Sequence, residues 1–401
     1  MGKAGITGMG IVSAIGLTVE ENFRSLVELK PGISRIENLD TVHKDVIRVG
    51  EIKKTNKELA KYLNLEERNN YTRTAMLGVM AARQAVEHAG ITGTGKWKTG
   101  LVSATSVGGM DTTEQYFTSY LENEAIRRYI LSHDPGDSTH KIADALGIHG
   151  FITTISTACS SAANAIMLGA RMIASGELDR VVVGGTDALA KFTINGFKTL
   201  MILSDTENTP FDRDRKGLNL GEAAAYLVLE SDEVIKAENK KVLAYLSGFG
   251  NANDAYHQTA SSENGEGATL AMEKALRLAG LRPDEISYIN VHGTATGNND
   301  LSEGRALINI FGDRVPPFSS TKPYTGHTLA AAGAIEAVYS VLSLQHGMIW
   351  PNLNFRNPMP EFDLVPETSL QKKEVRHVLS NSFGFGGNCS TLLFTAADDL
   401  H

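Results

Sequence analysis

Cysteine is almost missing from this sequence: Cys159 and Cys389 are the two in 401 residues. Two are too few for a disulfide framework or a cysteine-based zinc site, and they suit a reducing cytosol. Long apolar runs are missing too. None approaches the ~18 residues that a membrane-spanning helix needs. Basic residues are outnumbered, 38 Lys and Arg against 46 Asp and Glu, for a formal net charge of −8. That balance argues against a general nucleic-acid binder and against a membrane-surface protein. The start, MGKAGITGMGIVSAIG, has one basic residue and no clear cleavage site. It reads as strand and turn rather than signal peptide. It opens Met1-Gly2 but carries Ile6 where the myristoylation pattern needs Ser or Thr. Gly8 and Gly10 lack the third glycine of a dinucleotide fingerprint, because position 13 is Ser13.

What is present is material for a large core. Hydrophobic residues make up 42% and charged residues 21%, enough for one large domain or about two to three ordinary ones. The stretch from Thr154 to Leu189 organises the rest. It reads as a buried strand, a sharp turn holding Cys159, a helix apolar on nearly all sides, and a second buried strand Val181-Val182-Val183. Before it come a strand over 4–12, a helix over 18–30, a polar surface excursion over 31–70 and an amphipathic helix over 72–89. A strand from Leu101 runs into the turn Ser106-Val107-Gly108-Gly109. After it come a charged loop over 200–221 and the strand Ala223 to Glu230. Residues 231–241 look like a connector, and then the pattern restarts. Strands at 242–248 and 286–291, helices at 269–279 and 329–345, and two strands around a glycine turn in 378–395 repeat the earlier alternation. The chain therefore reads as an internally duplicated α/β unit with mainly parallel strands, split into 1–240 and 241–401.

Cys159 stands where a strand stops and a buried helix begins. Unpaired N–H groups and the helix dipole there favour the thiolate. A small buried core cysteine is the competing reading. Two further turns bear on the choice. His292 opens His292-Gly293-Thr294-Ala295-Thr296-Gly297 after a strand, and His327 closes Thr321-Lys322-Pro323-Tyr324-Thr325-Gly326-His327 before a helix. Open α/β folds place their sites at such strand ends. Metal binding fits poorly, since the histidines do not share a helix face and Cys389 lies in a strand-like segment. A cysteine–histidine nucleophilic site fits better, with Lys322 adding a group for developing negative charge.

These residues carry a family resemblance. The chain resembles the elongating β-ketoacyl-acyl carrier protein synthases over nearly its whole length. The matching motifs are Ile6-Thr7-Gly8-Met9-Gly10, Thr157-Ala158-Cys159-Ser160-Ser161, His292-Gly293-Thr294-Ala295-Thr296, Lys322-Pro323-Tyr324-Thr325-Gly326-His327 and Asn381-Ser382-Phe383-Gly384-Phe385-Gly386-Gly387. The resemblance implies a thiolase-like fold, two βαβαβαββ halves in five αβαβα layers, as a cytoplasmic homodimer or, alternatively, a heterodimer. It implies that Cys159 takes an acyl chain from acyl carrier protein. His292 and His327 would then stabilise the enolate left when malonyl carrier protein loses carbon dioxide. The N–H groups of Cys159 and Phe385 would hold the oxyanion, and Phe385 would gate the acyl channel. Lys322 would keep the site electropositive, with Glu303 as its structural support. Thr294 and Thr296 would bind the phosphopantetheine arm, which arrives on the carrier. The enzyme itself would bind no cofactor and no metal. Val107 and Phe383 would contact substrate, a branched residue at 107 limiting chain length.

Departures from the pattern are Gly297, where the elongating enzymes have proline, and Asn164, where many have histidine. Other readings stay open. A thiolase would use a second catalytic cysteine near the C-terminal glycine loop. An initiating synthase would have asparagine at His327. A non-catalytic chain-length-determining partner would lack the nucleophile. The pairs Arg68/Arg73 and Arg127/Arg128 are candidate docking points for an acidic carrier protein.

Overall fold

The computed structural model describes residues 4–93 and 95–397. The Met1-Gly2 start lies outside the described residues. Ten strands form one mixed sheet. The first five are β1 (Ala4–Val12), β2 (Thr99–Ala104), β3 (Ile152–Ile155), β4 (Arg180–Asp187) and β5 (Ala223–Glu230). The next five are β6 (Ala244–Asn253), β7 (Tyr288–Asn290), β8 (Phe318–Ser319), β9 (His377–Gly384) and β10 (Asn388–Ala396). Their order across the sheet is β8-β7-β9-β10-β6-β1-β5-β4-β2-β3.

Outward from the β1–β6 junction, both halves follow one rule: first strand, fifth, fourth, second, third. The pairings repeat as well, antiparallel twice and then parallel twice. The loose repetition of the sequence is thus a strict repetition of topology. The expected predominance of parallel strands is not found. With the antiparallel β1–β6 contact, five neighbouring pairs are antiparallel and four are parallel. The reason lies in the fifth strand of each half. It inserts between the first and fourth and runs opposite to both, and β9 and β10 are joined by a turn too short for a parallel crossover.

The principal helices are α1 (Arg73–His88), α2 (Ser161–Ala174), α3 (Glu266–Ala279), α4 (Gly297–Phe311) and α5 (Ala332–His346); α4 packs on α3 and the other four on the sheet. Helices α2 and α5 touch each other and the strands of both halves, while α1 covers the outer face of one half and α3 that of the other. Buried apolar side chains separate accordingly. Ile166, Met167, Val338 and Val341 belong to a central cluster, Leu77 and Met80 to one outer cluster, Met272 and Leu276 to the other. The result is the expected αβαβα layering. Ala332 to Leu344 are buried without exception, so α5 is an interior helix. Gly333 there faces the Ala163 backbone of α2 so closely that a Cβ would have to displace it.

Two segments depart from expectation. The stretch 31–70 is more than a surface excursion, because Ile36, Ile47, Val49, Ile52 and Leu59 are buried in it. Its apolar residues follow no helical or strand period, which hides them in the sequence. The connector 231–241 contains a short helix, Asp232–Ala237, capped by the Ser231 side chain. Among the described residues, no helix is long and apolar enough to cross a membrane.

Gly10 of β1 lies against the Ala81 carbonyl of α1, with no space for a methyl group. Gly10→Ala should cost about 1–3 kcal/mol, the range for overpacking a tight core. Urea unfolding checks this, with a lower midpoint at unchanged slope as the expected result.

Candidate active site

Between β3 and α2 the chain turns at Ala158, which has φ +52°, a left-handed value uncommon for alanine. The Ser161 hydroxyl accepts from the Thr157 N–H (2.7 Å) and donates to the Ala158 carbonyl (2.5 Å). The Ser160 hydroxyl donates to the Thr157 carbonyl (2.8 Å). Those bonds hold the turn and place Cys159 one residue ahead of the Ser160 N-cap, with 6% of its surface exposed. Burial pushes its thiol up to about 11, while Lys322 and the backbone N–H groups of Phe385 and Cys159 pull it down and Asp187 pushes it further up. The favoured thiolate expected at a helix start is therefore not the resting form. Loss of water outweighs the positive groups.

His292 follows β7 on a turn held from below by α4. Glu303 accepts from the N–H groups of His292 and Gly293 (2.8 Å each) and from Asn381 (3.1 Å). Asp300 accepts from Thr294 and Ala295 (3.0 and 3.2 Å). His327 is held by a different half of the chain. Its N–H donates to the Asn219 carbonyl (2.7 Å), and its carbonyl accepts from Gly221 (2.9 Å). The charged loop over 200–221 is thus a clamp on the second imidazole.

The two rings meet edge to face with centroids 5.3 Å apart. Each ring spends its Nδ1 as an acceptor. The Leu329 N–H donates to Nδ1 of His327 (3.2 Å), and the Lys322 ammonium lies 3.3 Å from Nδ1 of His292. A neutral imidazole accepting at Nδ1 carries its proton on Nε2. Both rings are kept neutral. Burial drives each well below the ordinary histidine value, and the Lys322 charge adds to it.

Lys322 itself donates to the Glu336 carboxylate (2.5 Å) and the His292 carbonyl (2.6 Å). The expected support from Glu303 is a correction. Glu303 braces the His292 backbone, and the carboxylate on Lys322 is Glu336 of α5. One signal for Glu336 was legible. It is the sole charged residue between Ala332 and Leu344, and a lone charge in an interior helix needs a partner.

A cavity of about 170 Å³ joins these groups. Cys159, His292, His327, Thr294, Thr296, Phe383 and Phe385 line it, with Phe197, Leu200, Ile202 and Leu218 as apolar lining. Phe385 is stacked on Phe197 with centroids 5.8 Å apart, a contact that sequence motifs did not suggest. The Thr294 and Thr296 hydroxyls lie 2.9 Å apart on the wall. Asn298, beside the departure at Gly297, bonds both backbone groups of Ser261 across the rim. Lys322, Glu303 and Val107 are not on the cavity wall. Val107 packs behind it, against the cluster that contains Leu218. Cys389 is buried in β10, as expected for core, and also touches the cavity. Asn164 sits in a polar network with Thr157 and Asn388 (2.8 and 2.9 Å).

The docking candidates divide. Arg73 is buried and paired with Glu222 (2.6 Å), which removes it from any surface. Arg68 and Arg127 are exposed, and Arg128 is half-buried over the Tyr129 ring.

Comparison with known proteins agrees with this geometry. Residues 3–234 match the family model described as "Beta-ketoacyl synthase, N-terminal domain", and residues 243–356 match "Beta-ketoacyl synthase, C-terminal domain". The chain belongs to the β-ketoacyl synthase family. It is 34% identical to the 3-oxoacyl-[acyl-carrier-protein] synthase 2 of Vibrio cholerae serotype O1, covering 97% of this chain and 98% of that one. Among solved structures, the ishigamide ketosynthase/chain length factor superposes with a TM-score of 0.91 at 30% identity, covering 98% and 99% of the two chains. A chain of the complex of the ketosynthase ApeO with its chain length factor ApeC from Xenorhabdus doucetiae gives 0.85 at 32% identity, covering 99% and 98%. The β-ketoacyl synthase fold thus positions a buried thiol and two imidazoles at a single cavity, with one ammonium behind the His292 ring.

The thiolate is the form that alkylates. With the thiol near 11, the iodoacetamide rate at Cys159 should rise about tenfold per pH unit from pH 7 to 10. Mass spectrometry of the labelled peptide measures it. A plateau below pH 9 would show that Lys322 and the backbone donors outweigh burial.

Proposed function

We propose that the chain catalyses decarboxylative condensation of a malonyl thioester with an acyl group held on Cys159, giving a β-ketoacyl thioester on acyl carrier protein. One observation carries this reading: both imidazoles line a cavity that also holds a thiol, each with its Nδ1 facing a donor, which leaves Nε2 to carry the proton. Protonated imidazoles or metal ligands would have a different environment.

In the first step the Cys159 sulfur attacks the acyl thioester carbonyl. The oxyanion is met by the N–H groups of Cys159 and Phe385. The bond to the pantetheine sulfur breaks, and the thiol proton ends on that departing sulfur. In the second step a malonyl thioester enters along Thr294 and Thr296. Its carbonyl oxygen accepts from His292 and His327. The bond to the carboxylate breaks, carbon dioxide leaves, and the electron pair becomes an enolate. The enolate carbon attacks the acyl-Cys159 carbonyl, the sulfur leaves, and one proton from solvent restores the thiol. Lys322 acts through His292, holding its ring and keeping it uncharged. Residues 1–240 supply the nucleophile and residues 241–401 supply both imidazoles.

The partner is acyl carrier protein, the carrier in the name of the Vibrio relative. It brings the phosphopantetheine, so no cofactor is resident. We place the reaction in the cytoplasm and the enzyme in a homodimer. A heterodimer with a chain-length-determining subunit is the second reading, favoured by the ketosynthase–chain length factor pairs among the similar structures. It serves either fatty acid synthesis or a polyketide or polyene-type lipid.

Cys159→Ala should abolish product while leaving the melting temperature close to that of the parent. The assay is purified protein with malonyl and acyl carrier proteins of graded length, read by mass. His327→Ala should lower kcat by ~100–1000-fold, the usual cost of one oxyanion donor. Retained elongation by Cys159→Ala would sink the mechanism.

The pH profile gives a second test. Because both imidazoles titrate well below 6.5, their neutral forms persist as pH falls from 7.5 through 6.5. The two ring signals in NMR should therefore hold their neutral positions across that interval, whereas a loss of kcat there belongs to Glu303 and Glu336, which burial pushes up to about 7. A ring that titrates near 6.5 would mean an ordinary, solvated histidine.

A further inference from the structure

The geometry points to Asp187 as the positioning residue that sets how far an acyl chain can enter the cavity, an inference that rests on the condensation reading above. Asp187 ends β4 and is fully buried. Its Oδ1 accepts from the Thr105 hydroxyl (2.5 Å) and from the N–H groups of Ser106 and Val107 (3.1 Å each). Its Oδ2 accepts from the Ser106 hydroxyl (2.6 Å) and from the Ala330 N–H (2.8 Å). One carboxylate therefore ties the turn after β2 to the turn that opens α5, across the two halves of the chain.

Both tied turns supply apolar side chains to one cluster. Val107 and Leu329 pack there with Leu218, Phe197 and Ile202. The last three also line the cavity. Val107 does not touch the cavity, so its influence on the space there must pass through them. Moving the Thr105–Val107 turn outward would let that wall retreat.

The internal duplication sharpens the assignment. The turn after β2 is the counterpart of the turn after β7, which carries His292. In the second half, Glu303 and Asp300 brace that turn so that a reacting ring is placed. In the first half the braced turn carries Ser106 and Val107, which bring no reacting group. What Asp187 holds in place is a wall. A buried carboxylate satisfied by five donor groups is also a stiff fastener, because any shift of the turn strands a charge without its partners.

Purified Asp187→Asn and Ser106→Ala are assayed beside the parent with malonyl carrier protein and acyl carriers of graded length. The readout is a ratio: kcat/KM for the first acyl length that the parent rejects, over kcat/KM for its best length. Asp187→Asn should raise this ratio by roughly tenfold, the value of about one methylene in an apolar pocket. Ser106→Ala, which removes one of the five donors, should move it in the same direction. Val107→Ala should raise it too, and should add nothing when combined with Asp187→Asn. Partial unfolding lowers both terms of the ratio alike and leaves it fixed. An unchanged ratio in Ser106→Ala overturns the inference, and that variant decides the matter if Asp187→Asn does not fold. Additive shifts in the double variant also overturn it, since Asp187 would then act elsewhere. If the parent elongates no carrier at all, the condensation reading falls and this inference falls with it.

Discussion

Lys322 is a full charge with 1% of its surface exposed, and much of the site follows from the need to keep it there. An ammonium in that setting costs several kcal/mol unless it is paired and hydrogen-bonded. Glu336 supplies the pair and the His292 carbonyl supplies a further bond. Glu336 is rooted in the interior helix α5, so the lysine cannot move without that helix. The same charge sits beside both imidazoles and makes their protonation unfavourable. A single buried cation thus fixes the geometry of one ring and the charge state of two. The carboxylates feel the same dryness. Burial pushes Glu303 and Glu336 each up to about 7. Glu303 is held by the N–H groups of its turn, Glu336 by the lysine.

The duplication explains how residues far apart in sequence converge. In each half an interior helix follows the third strand, α2 after β3 and α5 after β8. Cys159 precedes the first of these helices. Lys322 and His327 precede the second. Because α2 and α5 touch at Ala163 and Gly333, their starting ends are brought to one place. One topology used twice therefore yields two different halves of a site. The second strands repeat the lesson, with a packed turn at Val107 in one half and a turn carrying the buried His292 in the other.

What could be read from the chain was local. The strand–turn–helix around Cys159, the run Ala223–Glu230 and both histidine turns stood in the order of residues, since each depends on neighbours a few positions away. What could not be read depended on packing. Glu303 stands eleven residues after His292 in sequence and was the natural partner for Lys322, yet it faces the backbone of its own turn. Glu336 reaches the lysine because a helix is threaded through the interior. Arg73 had the composition of a surface basic residue and is buried against Glu222. The antiparallel share of the sheet escaped because strand direction is set by which neighbours pair, and short apolar runs read alike in either direction.

The buried thiol looks at first like a conflict, since burial suppresses the reactive thiolate. The conflict eases when the acylated state is included. A thioester on Cys159 is neutral, so a dry site that penalises the thiolate does not penalise the acyl-enzyme. The free enzyme rests as the neutral thiol and the loaded enzyme as the neutral thioester, so loading leaves no charge buried at Cys159. Lys322 and the two backbone N–H groups need only lower the thiol enough for transfer to begin. A more exposed cysteine would ionise more readily and hold its acyl group less securely. On this argument the raised thiol pKa belongs to the design of an enzyme that must store an acyl chain while a second substrate arrives.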